Sequence, residues 1–203
     1  AAKPLVFVLC LLPLAWLIYG AAADQLGANP AEALIRSAGD WTLRFLCLTL
    51  AVTPLRVRTR TPQLARFRRM LGLFAFSYAL CHFLVYAVID QGLALPFIIE
   101  DVTERPFITV GFTALLLLMP LAATSNRASM RRLGRRWKPL HGLVYPITLL
   151  GCWHFYWQVK ANVREPLVYL GIWMLLMVAR LPVSRRLLRP PGAMGQTSAQ
   201  PGT

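Results

Sequence analysis

Long apolar runs recur along almost the whole sequence, and they constrain the fold more than any other feature. Six of them approach the ~20 residues that cross a lipid bilayer as a helix. They are Leu5 to Ala23, Trp41 to Leu55, Leu71 to Ile89, Phe107 to Ala123, Leu140 to Val159 and Leu167 to Val183. The runs lack strand-like alternation, and a helix satisfies its own backbone hydrogen bonds in lipid. The sequence therefore predicts an all-α membrane protein, a bundle of six transmembrane helices.

The composition agrees with that class. Hydrophobic residues make up 57% of the chain and charged residues only 15%, against about 25% charged residues in soluble domains. The first run resembles a secretory signal peptide, but a first spanning helix explains the same features, and we expect it to belong to the bundle. We expect one transmembrane domain over residues 1–189 and a disordered tail, rich in Pro, Gly and Ser, over residues 190–203.

Charged residues divide between alternate loops. Arginines fill the loops after the second and fourth runs and gather again at the C-terminal end, at positions 180, 185, 186 and 189, whereas all eight acidic residues fall in or beside the other loops. By the positive-inside rule, both termini are cytoplasmic. The net charge of +14 then reflects topology and attraction to anionic lipid, or a docking surface for an acidic cytosolic partner, and it requires no nucleic acid.

The four cysteines, at positions 10, 47, 81 and 152, all lie inside predicted spans, and no C-x-x-C pattern occurs. This indicates neither a disulfide framework nor a covalently attached c-type haem. We interpret the cysteines as packing residues. The sequence shows no internal repeat and no Gly-rich nucleotide fingerprint.

The three histidines are the best candidates for a functional site. His82 lies within the third run, His154 within the fifth, and His141 at the inner mouth of the fifth. An imidazole in a spanning helix is either a binding group or a neutral side chain hydrogen-bonded to a neighbouring helix. At ~1.5 Å per residue, His82 and His154 lie ~17 Å and ~21 Å from the inner ends of their runs, whereas His141 lies ~20 Å below His154.

Two imidazoles at similar depth on different helices suit a haem iron inside a helix bundle. A zinc site is the rival, but it needs three or four ligands, and no further ligand is expected at that depth. Nearby aromatic residues could wall a flat apolar ligand, although an interfacial aromatic belt explains several of them equally well. These aromatic residues are Phe74, Phe76, Tyr78, Phe83, Tyr86, Trp153, Phe155, Tyr156 and Trp157.

Three segments, "LTLAVTPLR", "RRMLGLFAFSYALCHFLVY" and "TSNRASMRRLGRRWKPLHGLVYPITLLGCWHFYW", together resemble the ferric-reductase-like transmembrane family. The resemblance extends over nearly the whole chain and is closest to haem-binding subunits of bacterial systems that reduce methionine sulfoxide in periplasmic proteins. It implies a b-type haem in the inner membrane. Electrons would arrive from quinol or a cytosolic flavin reductase and leave to a periplasmic molybdopterin-containing reductase. The resemblance also implies FMN, for which the sequence carries no motif.

Related oxidases and ferric reductases hold two stacked haems between histidine pairs on their third and fifth helices. By this resemblance, His141 and His154 match the pair on the fifth helix, and His82 matches the outer histidine on the third. The inner position on the third helix falls near Arg68. An inner haem would then rest on His141 alone, or the inner site serves quinone or flavin. The two fifth-helix histidines lie ~140° apart around an ideal helix, and a kink at Pro146 would change that angle.

Two other classes of function stay open. A quinol-oxidising cytochrome b or a ferric reductase of the same fold would use another electron acceptor. A transporter or structural membrane protein would carry the histidines incidentally and would be colourless. The 20 residues after Val183 are too few for the flavin and nicotinamide domain of the larger oxidases, so we expect another molecule to supply the reductant.

The third loop, "DQGLALPFIIEDVTERPF", mixes acidic and apolar residues. Asp90, Glu100, Asp101 and Glu104 accompany Leu95, Phe97 and Ile98, a combination suited to electrostatic steering and contact. We predict that it contributes to a periplasmic docking surface. The alternative is a solvated loop that rests on lipid headgroups.

Overall fold

The computed structural model describes residues 2–159 and 162–187, with side chains as far as residue 181. These residues form helices, and no β-strand occurs among them. In chain order the helices are α1 (Ala2–Ala22), α2 (Pro30–Arg58), α3 (Ala65–Val85), α4 (Leu95–Glu104), α5 (Pro106–Ala123), α6 (Arg127–Leu133), α7 (Trp137–Gly142), α8 (Val144–Gln158) and α9 (Arg164–Leu187). Two 3₁₀ turns, Pro62–Leu64 and Gly134–Arg136, and a π-helix, Tyr86–Asp90, extend neighbouring helices. The predicted tail, residues 190–203, lies outside the described residues.

The six longer helices, α1, α2, α3, α5, α8 and α9, occupy the predicted apolar runs. α2 begins well before its run, because Asn29 caps it and accepts a hydrogen bond from the backbone N–H of Glu32 (3.2 Å), with Pro30 in the first turn. Within the described part of the chain, three helical stretches are long and apolar enough to cross a membrane: Ala2–Ala22, Pro62–Asp90 and Pro106–Ala123. The chain is therefore a membrane protein built from helices.

The hydroxyl of Tyr78 inserts into the backbone hydrogen bonding of α1 next to Pro13. In an unbroken helix the N–H of Leu14 would donate to the carbonyl of Cys10. Here the Leu14 N–H donates to the hydroxyl of Tyr78 on α3 (3.0 Å), and that hydroxyl donates to the Cys10 carbonyl (2.9 Å). The inserted hydroxyl satisfies both backbone groups and fixes α1 against α3.

The core lies between two helix pairs, because α2 packs along α3 and α5 packs along α8. Leu50, Ile147 and Thr148 are completely buried there. The hydroxyl of Thr148 donates to the carbonyl of Val144 (2.8 Å), so no polar group of that side chain is left unsatisfied. Four helices are thereby held around the space that the histidines enter.

The third loop contains a helix, α4, that was not predicted from the sequence. Its Ile98 and Asp101 are buried. Asp101 accepts a hydrogen bond from the hydroxyl of Tyr86 (2.7 Å) and pairs with Arg105 (3.0 Å). Both residues had been included in the predicted docking surface, but burial keeps them from a partner. Leu95 and Phe97 remain exposed, as do Glu100 and Glu104.

Candidate functional site

α3 and α8 bring His82 and His154 together. The centroids of the two rings lie 6.0 Å apart, and the ring planes meet at 85°. In the described ranges, no group of three or more His, Cys, Asp or Glu side chains is placed to hold a metal ion. A tetrahedral zinc site, which takes three or four protein ligands, therefore has no support in that part of the chain.

A backbone carbonyl holds each ring through its Nδ1 atom. Nδ1 of His82 lies 2.8 Å from the carbonyl oxygen of Ile35 on α2, and Nδ1 of His154 lies 2.6 Å from that of Phe107 on α5. Because a carbonyl oxygen only accepts, Nδ1 carries the proton in both rings. The Nε2 atom of each neutral ring then keeps its lone pair. This is how metal-binding histidines are oriented.

Two glycines allow neighbouring helices to approach these rings. A Cβ atom on Gly111 would lie 2.7 Å from Nδ1 of His154, and one on Gly39 would lie 3.2 Å from Nδ1 of His82. A side chain at position 111 would therefore displace the ring. Neither glycine was predicted from the sequence to belong to the site. The available signal was weak: Gly111 lies inside a predicted span, where glycine often marks a close approach of helices.

A cavity of about 540 Å³ lies beside the rings, between α2, α3, α5 and α8. This volume is within the range of about 300–1,000 Å³ typical of small-molecule sites. Leucines and Ile147 line one end of it, and charged residues line the other. Of the nine aromatic residues proposed as walls, three line the cavity (Phe83, Tyr86 and Phe155), whereas the other six lie in the core or at the surface.

His141 lies apart from this pair, on the short helix α7. Its ring stacks on Trp137 with centroids 4.1 Å apart, and its Nε2 atom lies 3.0 Å from the hydroxyl oxygen of Thr124. That hydroxyl already donates its hydrogen to the carbonyl of Pro120 (2.6 Å), so Nε2 of His141 is the donor. His141 thus engages the nitrogen that His82 and His154 leave free.

The helix also breaks between His141 and His154. α7 ends at Gly142 and α8 begins at Val144, ahead of Pro146. The angle expected for a continuous ideal helix therefore does not apply to the two histidines. The break lies closer to His141 than the predicted kink at Pro146.

Two arginines, Arg68 and Arg180, lie close to each other, and Arg68 also lies close to His141. Arg68 is half-buried on α3, close enough to His141 and Arg180 for its charge to act on both. Arg180 on α9 donates to the hydroxyl of Tyr145 (2.6 Å) and to the carbonyl of Leu50. Charge distribution gave Arg180 a role only in topology, but its guanidinium lies against the bundle.

The comparisons with known proteins agree on one family. The family described as the ferric reductase like transmembrane component matches residues 38–152. A protein-methionine-sulfoxide reductase heme-binding subunit MsrQ from Polaromonas naphthalenivorans (strain CJ2) is 59% identical over 180 residues, which cover 87% of this chain and 82% of that protein. The subunit of the same name from Bordetella pertussis is 51% identical over 177 residues, 86% of each chain. That from Xanthomonas euvesicatoria is 46% identical over 205 residues, 94% of each chain. No solved structure matches the chain.

Proposed function

Since this chain belongs to the ferric-reductase-like transmembrane family, and within it to the MsrQ heme-binding subunits, we propose that it is a haem b electron-transfer subunit of the bacterial inner membrane. The observation that carries the proposal is the histidine pair. Two imidazoles from different helices lie with their ring centroids 6.0 Å apart, each held through Nδ1 and with no hydrogen bond to Nε2 among the described residues. Sulfoxide reduction itself would take place in the partner protein.

The residues present fit a haem. His82 and His154 would hold its iron, and the leucine-lined part of the cavity would contact its apolar surface. A bound haem supplies one-electron exchange between ferric and ferrous iron. The carbonyls of Ile35 and Phe107 would keep both imidazoles in one orientation.

We assign six spans to the chain and place both termini in the cytoplasm. The distribution of charge supports this assignment, because arginines occupy the connections after α2 and after α5 while the acidic residues lie on the opposite side. The charged end of the cavity, which includes Glu32, Asp90 and Arg105, then faces the periplasm. His141 faces the cytoplasm.

Electrons would therefore enter from quinol or a cytosolic flavin reductase and leave to a periplasmic molybdopterin-containing, MsrP-like reductase. We assign one haem to His82 and His154. On the cytoplasmic side, His141 and Arg68 are the residues that would contact a second haem, FMN or quinone. The positive charge around them would attract an anionic flavin phosphate or an acidic donor protein.

The test is electron transfer by the purified chain in lipid vesicles of one orientation. A donor supplied on the arginine-rich side should reduce the haem, and the periplasmic partner with methionine sulfoxide should reoxidise it. Vesicles that carry the His154→Ala variant are the matched control. Haem that the donor reduces but the partner leaves reduced would contradict the proposed acceptor.

We predict that His141→Ala slows donor-driven reduction of the haem roughly tenfold, a barrier change of about 1.4 kcal/mol. The reason is that His141 lies beside the positive charges of the cytoplasmic side, where the donor must act. The haem at His82 and His154 should stay largely in place. Reduction by dithionite, which needs no donor site, is the control. Donor-driven rates equal to those of the unaltered chain, with unchanged haem content, would contradict this role.

For the periplasmic side, we predict that Glu100→Lys with Glu104→Lys slows electron delivery to the partner roughly tenfold at low salt. Both glutamates are exposed on α4, beside the exposed Leu95 and Phe97. The measurement is the reoxidation rate of the haem as a function of ionic strength. Gln25→Lys, which adds a positive charge in the first loop, is the control. Rates that do not change would leave α4 as a helix that rests on the membrane surface.

A further inference from the structure

The cavity is built from two equivalent halves. In one, His82 on α3 is bound by the carbonyl of Ile35 on α2; in the other, His154 on α8 is bound by that of Phe107 on α5. In both halves the histidine follows the carbonyl by 47 residues. The glycine that approaches each ring, Gly39 or Gly111, follows the same carbonyl by one helical turn. The second half thus repeats the first at a constant offset of 72 positions.

The same offset relates the cavity walls. Eleven lining residues between Ile35 and Tyr86 have a counterpart 72 positions later that also lines the cavity. Five of these pairs keep the residue type, among them Leu43 with Leu115 and Phe83 with Phe155. So few identities explain why the sequence shows no repeat. Two equivalent halves that face each other define an approximate two-fold axis, which here passes between the two histidine rings.

The two ends of the cavity along this axis are lined by residues of different polarity. Beyond the histidines, in the direction in which α3 runs, Tyr86 and Asp90 line it. In the other direction the walls reach Leu46 and Leu118, each eleven residues after its half's carbonyl, or ~16 Å along the helix. One end is therefore an apolar pocket, and the other is a charged mouth.

Each half contributes one arginine to this mouth. Arg36 follows Ile35 directly, and Arg105 precedes Phe107 by two residues; both line the cavity. Arg36 pairs with Glu32 at 2.8 Å and Arg105 with Asp101 at 3.0 Å, and both arginine side chains are 59% exposed. Among the described residues, these pairs leave Nη1 of Arg36 and both Nη atoms of Arg105 without a hydrogen-bond partner.

We propose that Arg36 and Arg105 bind the two propionate groups of the haem, one from each half of the cavity. The proposal rests on the haem assignment above. Both carboxylates of a haem lie on one edge of the macrocycle, and the leucine-lined end of the cavity excludes charge. That edge therefore faces the mouth, where the planar guanidinium of arginine matches a carboxylate. The polar edge of the haem is thereby turned toward the periplasmic partner.

The rival role for these arginines is structural. Each one would only pair with an acidic residue four positions earlier on its own chain segment, an arrangement that contributes little when exposed. Four acidic residues also line the mouth: Glu32 pairs with Arg36 and Asp40 lies 3.8 Å from Arg44, whereas Asp90 and Glu165 form no ion pair among the described residues. If the arginines only stabilise their helices, their loss should lower helix stability. The site would then bind a haem with free propionates and one with esterified propionates equally well.

The test uses that distinction. The full chain, produced in haem-deficient cells and held in lipid nanodiscs, is titrated with haem and with haem dimethyl ester, and binding is followed by absorbance. We expect the unaltered chain to bind haem roughly tenfold more tightly than the ester. Arg36→Gln and Arg105→Gln should each reduce this preference about threefold, and the double variant should bind both pigments about equally. Arg36→Lys and Arg105→Lys should restore part of the preference.

Arg164→Gln is the matched control, because Arg164 is exposed at the start of α9 on the same side and does not line the cavity. It should keep the full preference for haem. A double variant that also keeps it, or an unaltered chain that binds both pigments equally, would overturn the propionate assignment and leave the haem site intact. An unaltered chain that binds neither pigment would instead overturn the proposed function.

Discussion

His82→Ala and His154→Ala should each lower the haem content of the purified chain at least tenfold, the largest effect that we expect. Each variant removes one of two imidazoles whose ring centroids lie 6.0 Å apart, and no third His, Cys, Asp or Glu in the described part of the chain completes a metal site there. Loss of one axial bond also ends the low-spin state that two histidine ligands produce. Haem per chain and the absorption spectrum measure both changes.

His141→Ala serves as the control for these variants, because His141 lies on α7 and contacts Trp137 and Thr124 rather than the cavity. It should keep the haem and its low-spin spectrum. Helix content from circular dichroism separates loss of haem from loss of fold. Full haem and an unaltered spectrum in both cavity variants would remove the axial assignment.

Gly111→Ala should have the second largest effect and should remove most of the haem. The added Cβ would lie 2.7 Å from Nδ1 and 2.8 Å from Cε1 of His154, closer than such atoms can approach, so the ring must move. Gly39→Ala should act more weakly, because its Cβ would lie 3.2 Å from Nδ1 of His82. Alanine favours a helix over glycine by ~1 kcal/mol. Loss of haem would therefore not reflect a weaker helix.

Gly171→Ala is the control for the glycine series, since a Cβ at that position meets no atom within 4 Å. The expected order of haem loss is Gly111→Ala, then Gly39→Ala, then Gly171→Ala with none. Haem per chain and the Soret absorbance give that order directly. Equal haem in all three variants would show that the rings tolerate displacement, and the role given to the glycines would be wrong.

Helical rise was enough to predict that His82 and His154 lie at similar depth, because both were expected on helices that run in the same direction. The all-helical membrane class followed from the same runs. The family resemblance, which the comparisons confirm, supplied the methionine sulfoxide reductase system. The hydrogen bonds from Nδ1 to the carbonyls of Ile35 and Phe107 could not be predicted, because every residue carries a backbone carbonyl whatever its side chain.

Other features depend on contacts between distant segments. α4 is a short helix with only Ile98 and Asp101 buried, too brief for its apolar pattern to stand out. The bridge that Tyr78 makes across the break at Pro13 joins residues far apart in the chain. The two halves of the cavity place lining residues at equivalent positions, but most of the paired residues differ in type. The two-fold relation can therefore be recognised only when the lining residues are known.

The most direct test of the central claim is the haem content and redox spectrum of the purified, unaltered chain. If the cavity holds a haem between His82 and His154, the protein should carry about one haem b per chain and show a low-spin spectrum in both the oxidised and dithionite-reduced states. A colourless chain of full helix content, or a high-spin haem lost on washing, would contradict the account.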